Sequence, residues 1–328
     1  MKKVTIADVA KEANVSVSTV SQFMNQRYEY MSVETRAKIQ LAVEKLRYRP
    51  NILARSLKNK GTQTIGIIVA NIMYTFTTHI VHHLERHFQQ HGFQVIVCNA
   101  NDNPKLEREH IDLLLAKQVE GFILFPTGNN KDLYDYLYNS NIPVVFLDRM
   151  IADVKIPSVL LNNEKAIELA VGELVNKGYE NLAIVAGSIE QNITPRLERL
   201  EGFRQAMKKR GVEYGEHQVI ATSTENLPEK LKQLLTEVSL DGIIAGNDRM
   251  LLAILHYMKE HAPDILEKIG IAVIDEMPLA KFISTKLTTI EQPTEEMAKQ
   301  AVHLFMQIKK SGYTEELLPA YRFEPILV

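Results

Sequence analysis

Residues 15–25 read VSVSTVSQFMN, a run of hydroxyls, amides and apolar side chains without a single charge. The stretch lies between two amphipathic segments, TIADVAKEA (5–13) and SVETRAKIQLAVEKL (32–46). In the first segment Ile6, Val9, Ala10 and Ala13 recur at i, i+3, i+4 and i+7, which predicts a short helix with one apolar face. Thr5 is a good N-cap for it, and Asp8 stands where a capping box places its second member. Asn14 falls where that helix must turn, and Asn tolerates the positive φ such a turn requires. Ser16 caps a second helix that turns Val20, with Phe23 or Met24, inward. Val17, Ser18, Ser21 and Gln22 are then left outside. Ser32 caps a third helix with Ile39, Val43 and Leu46 on its inner face. Helix, tight turn, helix and supporting helix make a helix-turn-helix layout.

The uncharged stretch suits the second helix of such a unit. A helix that lies in a DNA major groove about 12 Å wide approaches closely only if its leading side chains are small. Ser16, Thr19 and Asn25 are candidates to position phosphates, and Val17, Ser18 and Gln22 to read base edges. Charge points the same way. Residues 1–61 hold 12 basic and 5 acidic side chains, a net +7, while the remainder carries −9. A basic head on an acidic body is expected to meet a polyanion. Residues 48–61, YRPNILARSLKNKG, begin near Pro50 and end at Gly61, room for two helical turns at most. A basic segment this short, with Leu57 unburied, suits ordering on DNA with the Leu wedged into a minor-groove step.

These segments, VTIADVAKEANVSVSTVSQFMN, SVETRAKI…LRYRPN and ARSLKNKGTQTIG, closely resemble the head of the Lac repressor/galactose repressor family. The resemblance implies a headpiece (1–49), a hinge helix and linker (50–61), and a dimerising effector-binding core (62–328). It adds Thr5, Ser21, Tyr28, Asn51, Ala54 and Arg55 to the expected DNA-contacting set. There are departures. The family commonly has Gly where Asn14 stands, and many members have Arg in place of Gln22. The loop NQRYEYMS is about one residue longer than the family's, and its Tyr28 and Tyr30 are candidates for extra contacts.

Beyond Thr64, near-continuous apolar runs such as TIGIIVAN, GFILFP and DGIIAG alternate with helical patterns. That alternation means parallel sheets covered on both faces, and the count of runs is too large for one sheet. The expected fold is an all-α headpiece followed by an α/β core of two similar lobes, each opening with a βαβ unit, near 64–99 and 182–222. The family's periplasmic-binding-protein-like core implies crossovers near 160–163, 288–292 and 318–322. Lobe 1 is then about 62–161 and 291–319, and lobe 2 about 162–290 and 320–328. Ligands of such sheets bind at the carboxyl ends of strands, where Asn71, Asp148, Arg149, Asn162, Asn163, Asn247, Asp248 and Asp275 fall. The motif match places Arg199, Asn247 and Asp275 on effector-contact positions, with Asn162 and Gln292 as further candidates; Phe76 and Arg196 complete the expected set.

The ligand itself is read from NITPRLERLEGF, which carries Arg196 and Arg199 at the start of a helix. Helix N-termini favour anions, and guanidinium groups bind carboxylates as a fork. Arg149 can converge from the other lobe. Trp is absent, and ATSTEN (221–226) offers no ring platform where several family members place one. A sugar acid is therefore expected, with 2-keto-3-deoxygluconate as candidate, since the sequence also looks somewhat like regulators of ketodeoxygluconate use; the family resemblance implies that it acts as inducer. A neutral sugar, with Arg199 bonding hydroxyls, remains the alternative.

Other classes fit poorly. No nucleotide-binding glycine motif, no G-x-S-x-G and no H-E-x-x-H is present, so neither an enzyme nor a cofactor is expected. A lone cysteine, Cys98, excludes an internal disulfide. No apolar stretch reaches the roughly 18 residues of a membrane span, and the N-terminal run is too polar for a signal peptide. The expectation is a cytoplasmic homodimeric repressor of a pseudo-palindromic operator, with no membrane partner. His79, His83, His87 and His91 step by four along one helix. They are expected to form the polar flank of a packed or dimer-interface helix rather than a zinc site, since no further ligands complete one.

Overall fold

The computed structural model describes residues 4–48, 61–275, 287–317 and 319–328. The chain divides into two compact units, 1–62 and 63–328.

Among its described residues the first unit has three helices, α1 (Ile6–Glu12), α2 (Val17–Met24) and α3 (Val33–Leu46). Thr5 and Asp8 form the expected capping box: the Thr5 amide donates to Asp8 Oδ2 at 2.8 Å, and the Asp8 amide to Thr5 Oγ1 at 3.4 Å. Asn14 takes the positive φ expected of it, 53°, and redirects the chain into α2. Ser16 and Ser32 cap α2 and α3 through Oγ, accepting from the amides of Thr19 and Thr35. The core is Val9, Ala10, Ala13, Val20, Phe23, Ile39 and Ala42. Ala42, not Val43 or Leu46, shares the fully buried face of α3 with Ile39; the two larger side chains pack at its edge. Seven small to medium buried side chains make a modest core, so the caps, each worth about 1 kcal/mol, matter to this unit.

The second unit contains two six-stranded sheets. The chain runs β1 (Thr64–Val69), α4 (Thr75–Gln90), β2 (Gln94–Asn99), α5 (Pro104–Ala116), β3 (Phe122–Leu124), α6 (Lys131–Asn139), β4 (Val144–Leu147) and β5 (Ser158–Leu161). It then crosses to α7 (Asn163–Asn176), β6 (Leu182–Ala186), α8 (Thr194–Arg210), β7 (Val219–Ala221), α9 (Leu227–Glu237), β8 (Gly242–Ala245), α10 (Asp248–His261), α11 (Pro263–Leu266), β9 (Gly270–Ile274) and β10 (Leu287–Glu291). It returns through α12 (Thr294–Ser311) and β11 (Ala320–Phe323) and ends with β12 (Ile326–Leu327).

The strand orders are β2-β1-β3-β4-β5-β11 and β7-β6-β8-β9-β10-β12, parallel except for β12. Each order reverses beside its first strand, between β1 and β3 and between β6 and β8. Both faces of each sheet are covered. In lobe 1, α4 and α12 bury Phe88 and Phe305 on one side, and α5 and α6 bury Leu114 and Tyr134 on the other. In lobe 2, α7 and α8 lie opposite α9 and α10. The fully buried strands explain why their sequence reads as unbroken apolar runs.

One boundary needs correction. The family resemblance implies that residues 320–323 belong to lobe 2, but β11 pairs in parallel with β5 of lobe 1, Ala320 opposite Ser158 and Phe323 opposite Leu161. The outer edge of β5 would otherwise present unpaired backbone groups, and β11 satisfies them. The last crossover therefore lies at residues 324–325, and only β12 reaches lobe 2.

Candidate functional site

The headpiece displays α2 much as the sequence pattern requires. Val17, Ser18 and Gln22 are exposed, and Ser21 is partly so. The hydroxyls of Ser16, Ser18 and Thr19 cluster in the first turn, with Ser16 Oγ 2.6 Å from Ser18 Oγ and 2.8 Å from Thr19 Oγ1. They fix the cap and keep lone pairs and one donor for an incoming phosphate. Asn25 lies at the opposite end of α2, where its Nδ2 donates to the Ser21 carbonyl at 2.8 Å and closes the helix. Tyr28 is half-buried, edge-on to Phe23, with the Arg36 guanidinium 3.9 Å above its ring. Packing thus accounts for Tyr28, and Tyr30 is the fully exposed ring of that loop. Asn51, Ala54, Arg55 and Leu57 lie outside the described residues.

In the second unit the two reversal points face each other across a cleft, the place where open parallel sheets bind ligands. An inner chamber is lined by Tyr74, Phe76 and Phe125 on one side and by Arg149, Arg196, Arg199, Asn247 and Asp275 around it. Its volume is about 50 Å³, room for a few waters. An outer chamber of about 300 Å³ adjoins it through Tyr74 and Arg196, and is lined by Asn71, Asp102, Gln191, Thr222 and Arg249 among others.

The charges in this cleft form a connected set. Arg149 is buried and ion-paired, with its Nη2 2.8 Å from Asp102 Oδ1 and its Nε 3.5 Å from Asp148 Oδ2. Its Nη1 reaches the Pro126 carbonyl at 3.5 Å. The neighbouring Thr127 is held by buried Glu107, which accepts from the Thr127 amide at 2.8 Å and from the Tyr134 hydroxyl at 2.5 Å. Arg196 donates to the Ser188 carbonyl at 2.7 Å and lies across Gly187, where a Cβ would sit 2.9 Å from its Nε. Arg199 donates to Asn163 Oδ1 at 2.8 Å through Nε and to the Gly246 carbonyl through Nη1, which anchors it within lobe 2.

Asp275 accepts from Gln292 Nε2 at 2.6 Å and takes a positive φ of 128°, a strained conformation for a non-glycine residue at a strand end. Burial pushes its carboxyl up to about 7, with Arg199 opposing and Asp248 reinforcing the shift. Asp148, also at positive φ, is pushed up by burial against the pull of Arg149 and Arg199. Asn247 caps α10 through Oδ1, which accepts from the Met250 amide at 2.9 Å and leaves its NH₂ for a ligand. Gln292 keeps a buried Oε1 without a protein partner.

Most of the expected effector residues therefore meet. Phe76, Asp148, Arg149, Arg196, Arg199, Asn247, Asp275 and Gln292 line the inner chamber, and Asn71 the outer one. Asn162 does not line either. It caps α7 and donates to Glu324 Oε1 at 2.9 Å, a consequence of its place on the first crossover. Tyr74, Phe125, Asp102 and Arg249 were missed. Tyr74 and Phe125 follow β1 and β3, so strand-end position was the available signal. Three rings, the expected Phe76 with Tyr74 and Phe125, come from lobe 1, and among the described residues lobe 2, which carries ATSTEN, supplies none. Bonds between the lobes surround the cleft. The Thr75 amide and hydroxyl both donate to Asp248 Oδ2, at 2.8 and 2.7 Å, and Thr194 Oγ1 bridges the Met150 amide and carbonyl at 3.2 and 3.0 Å.

A helix-turn-helix unit joined to a two-lobed ligand cleft defines a ligand-controlled DNA-binding regulator. Residues 5–51 match the family described as bacterial regulatory proteins, lacI family. Residues 62–321 match the periplasmic binding proteins and sugar binding domain of LacI family. The chain belongs to the LacI family of transcriptional repressors and is not an enzyme. It is 38% identical over 327 residues to the probable HTH-type transcriptional regulator EndR of Paenibacillus polymyxa, covering 98% of this chain and 96% of that protein. It is 33% identical over 302 residues to the HTH-type transcriptional regulator KdgR of Bacillus subtilis (strain 168), covering 91% and 89%. In fold it resembles the Lac repressor dimer bound to operator and the anti-inducer ONPF, with a TM-score of 0.83 and 23% identity over 100% of this chain and 98% of that one. No helix among the described residues is long and apolar enough to cross a membrane.

Proposed function

We propose that the protein is a cytoplasmic homodimeric repressor whose ligand is a sugar acid that releases it from a pseudo-palindromic operator. One observation carries the ligand class: guanidinium groups from both lobes, Arg149 and Arg196, converge on a single carboxylate position beside the open outer chamber. Bidentate or paired guanidinium recognition selects carboxylates over hydroxyls. Arg196, whose ion pairing is loose, is the better carboxylate partner; Arg199 is committed to Asn163 and Gly246 and serves hydroxyls with Asn247 and Asp275. The similarity to KdgR supports 2-keto-3-deoxygluconate as the candidate. On DNA, Val17, Ser18 and Gln22 read bases while Ser16 and Thr19 meet phosphates. A neutral sugar is the second reading, favoured by the Tyr74, Phe76 and Phe125 rings, on whose faces sugar C–H groups can pack. Calorimetry with 2-keto-3-deoxygluconate, a neutral hexose and a pentose decides between them when combined with operator release followed by fluorescence anisotropy. Binding and release by a neutral sugar alone rejects the sugar-acid reading.

A further inference from the structure

Arg149 is a buried cation, and a buried cation left without an anion is strongly destabilising. Three carboxyls stand near it. Glu107 is buried with it and the Asp148 side chain is 17% exposed, and desolvation pushes both toward the neutral form. Asp102 differs. Its side chain is 21% exposed, close to the 17% of Asp148, but Asp148 lines the inner chamber and Asp102 the outer one. It borders the outer chamber together with Arg196. Its two oxygens face two lobes: Oδ1 is 2.8 Å from Arg149 Nη2, and Oδ2 is 3.7 Å from Arg196 Nη2. The second distance is too long for a hydrogen bond, so the Arg196 side of the position is underused.

The backbone pushes Asp102 into this place. Asn101 and Asp102 are successive non-glycine residues at positive φ, 53° and 52°. The Asp102 amide donates to the Ala70 carbonyl at 2.7 Å, and Asn99 Nδ2 donates to Asn101 Oδ1 at 3.0 Å. Two adjacent left-handed residues are unfavourable unless the surroundings hold them. An anion delivered by a strained loop, loosely paired on one side and open to a chamber, is well placed to be exchanged.

We propose that the space between Arg149 and Arg196 is a carboxylate-binding site already filled by the chain's own Asp102, and that an acidic ligand binds by displacing it. This rests on the sugar-acid reading for the identity of the ligand but not for the existence of the site. Exchange keeps Arg149 paired throughout. It replaces an ion pair within the chain, which spans the lobes, by one made through the ligand.

Two variants test it. Asp102→Gly removes the resident anion at a φ that glycine adopts freely, so the loop retains its path. Acetate or formate, titrated against chloride at constant ionic strength, should raise the melting temperature of this variant and leave wild type unmoved. Asp102→Asn keeps the shape and removes the competing charge. It should bind 2-keto-3-deoxygluconate about tenfold more tightly than wild type, as expected when a competing occupied state is removed. A neutral hexose should be unaffected. Acetate rescue without any sugar-acid binding in either variant upholds the site and rejects only the ligand identity. Absence of acetate rescue, or weaker sugar-acid binding by Asp102→Asn, overturns the proposal and makes Asp102 an acceptor of ligand hydroxyls.

Discussion

Asp275 should make ligand binding depend on pH in the physiological range. The residue is 3% exposed, and burial pushes its carboxyl from 3.8 up to about 7. A raised carboxyl means that the folded protein resists ionisation. Its contribution to folding is therefore most favourable below its unfolded value of 3.8 and is lost as pH rises to about 7. The shift of about three units corresponds to about 4 kcal/mol, an upper figure for a group this deeply buried. A ligand that donates hydroxyls to the ionised carboxylate returns part of that energy, and binding then releases a proton. At pH 6 roughly nine-tenths of Asp275 would be protonated, so affinity should be about tenfold weaker there than on the plateau above pH 8. Among the described residues no histidine lines either chamber, and Asp148, also raised by burial, is the other carboxyl of the inner chamber, so the Asp275 variant is needed to assign the slope. Calorimetry in two buffers of different ionisation enthalpy measures both the slope and the released proton. Asp275→Asn should flatten the profile. An affinity constant from pH 6 to pH 8 in wild type, or an unchanged slope in Asp275→Asn, refutes the assignment of Asp275 as an ionised hydroxyl acceptor.

Gly187→Ala places a Cβ 2.9 Å from Arg196 Nε and should move that side chain from the cleft. Sugar-acid affinity should fall about tenfold or more, as for loss of one charged hydrogen bond, with an unchanged melting temperature; unchanged affinity would remove Arg196 from the site. Gln22→Ala should alter operator preference more than non-specific DNA affinity, because base contacts specify and phosphate contacts position. Competition between operator and random duplex measures this, and a uniform loss contradicts base reading. Operator affinity should fall steeply with salt, with log K dropping about 0.9 per phosphate neutralised; a flat response in anisotropy titrations contradicts the basic head. His83 and His87 on α4 each have a buried ring nitrogen without a partner, and burial, opposed by Glu295, lowers His83. Self-association should weaken as acidification below the ordinary imidazole value of about 6.5 forces the His83 ring to protonate, and a sedimentation constant unchanged on acidification ends the idea.

The headpiece was legible because its determinants are local. A cap, a helical period and an Asn at the turn all act within four residues, and Thr5, Asn14 and Ser16 behave in the structure as their types dictate. The two sheets were legible for a similar reason, since strands buried on both faces must be apolar throughout. What escaped the sequence is what depends on pairing between distant segments. β11 could not be assigned to its lobe from YRF alone, because the unpaired edge of β5 that it completes lies 162 residues earlier, Ser158 against Ala320. Asn162 and Asn247 look alike in sequence, each a polar residue before a helix, and each caps its helix. Only the crossover geometry turns one toward Glu324 and leaves the other in the cleft. The same holds for Arg199 and Arg196, three residues apart on α8. Sequence reasoning treated them as interchangeable carboxylate partners. The structure separates them: Arg199 turns inward to Asn163 and the Gly246 carbonyl, while Arg196 lies over Gly187 toward Asp102. Spacing on a helix fixes which residues share a face, but not which already have partners. In a cleft crowded with charge, the second question decides which groups are left for a ligand. The inner arginines are largely satisfied by the chain itself, so recognition of an acid here is a competition with internal carboxylates rather than the filling of an empty positive hole.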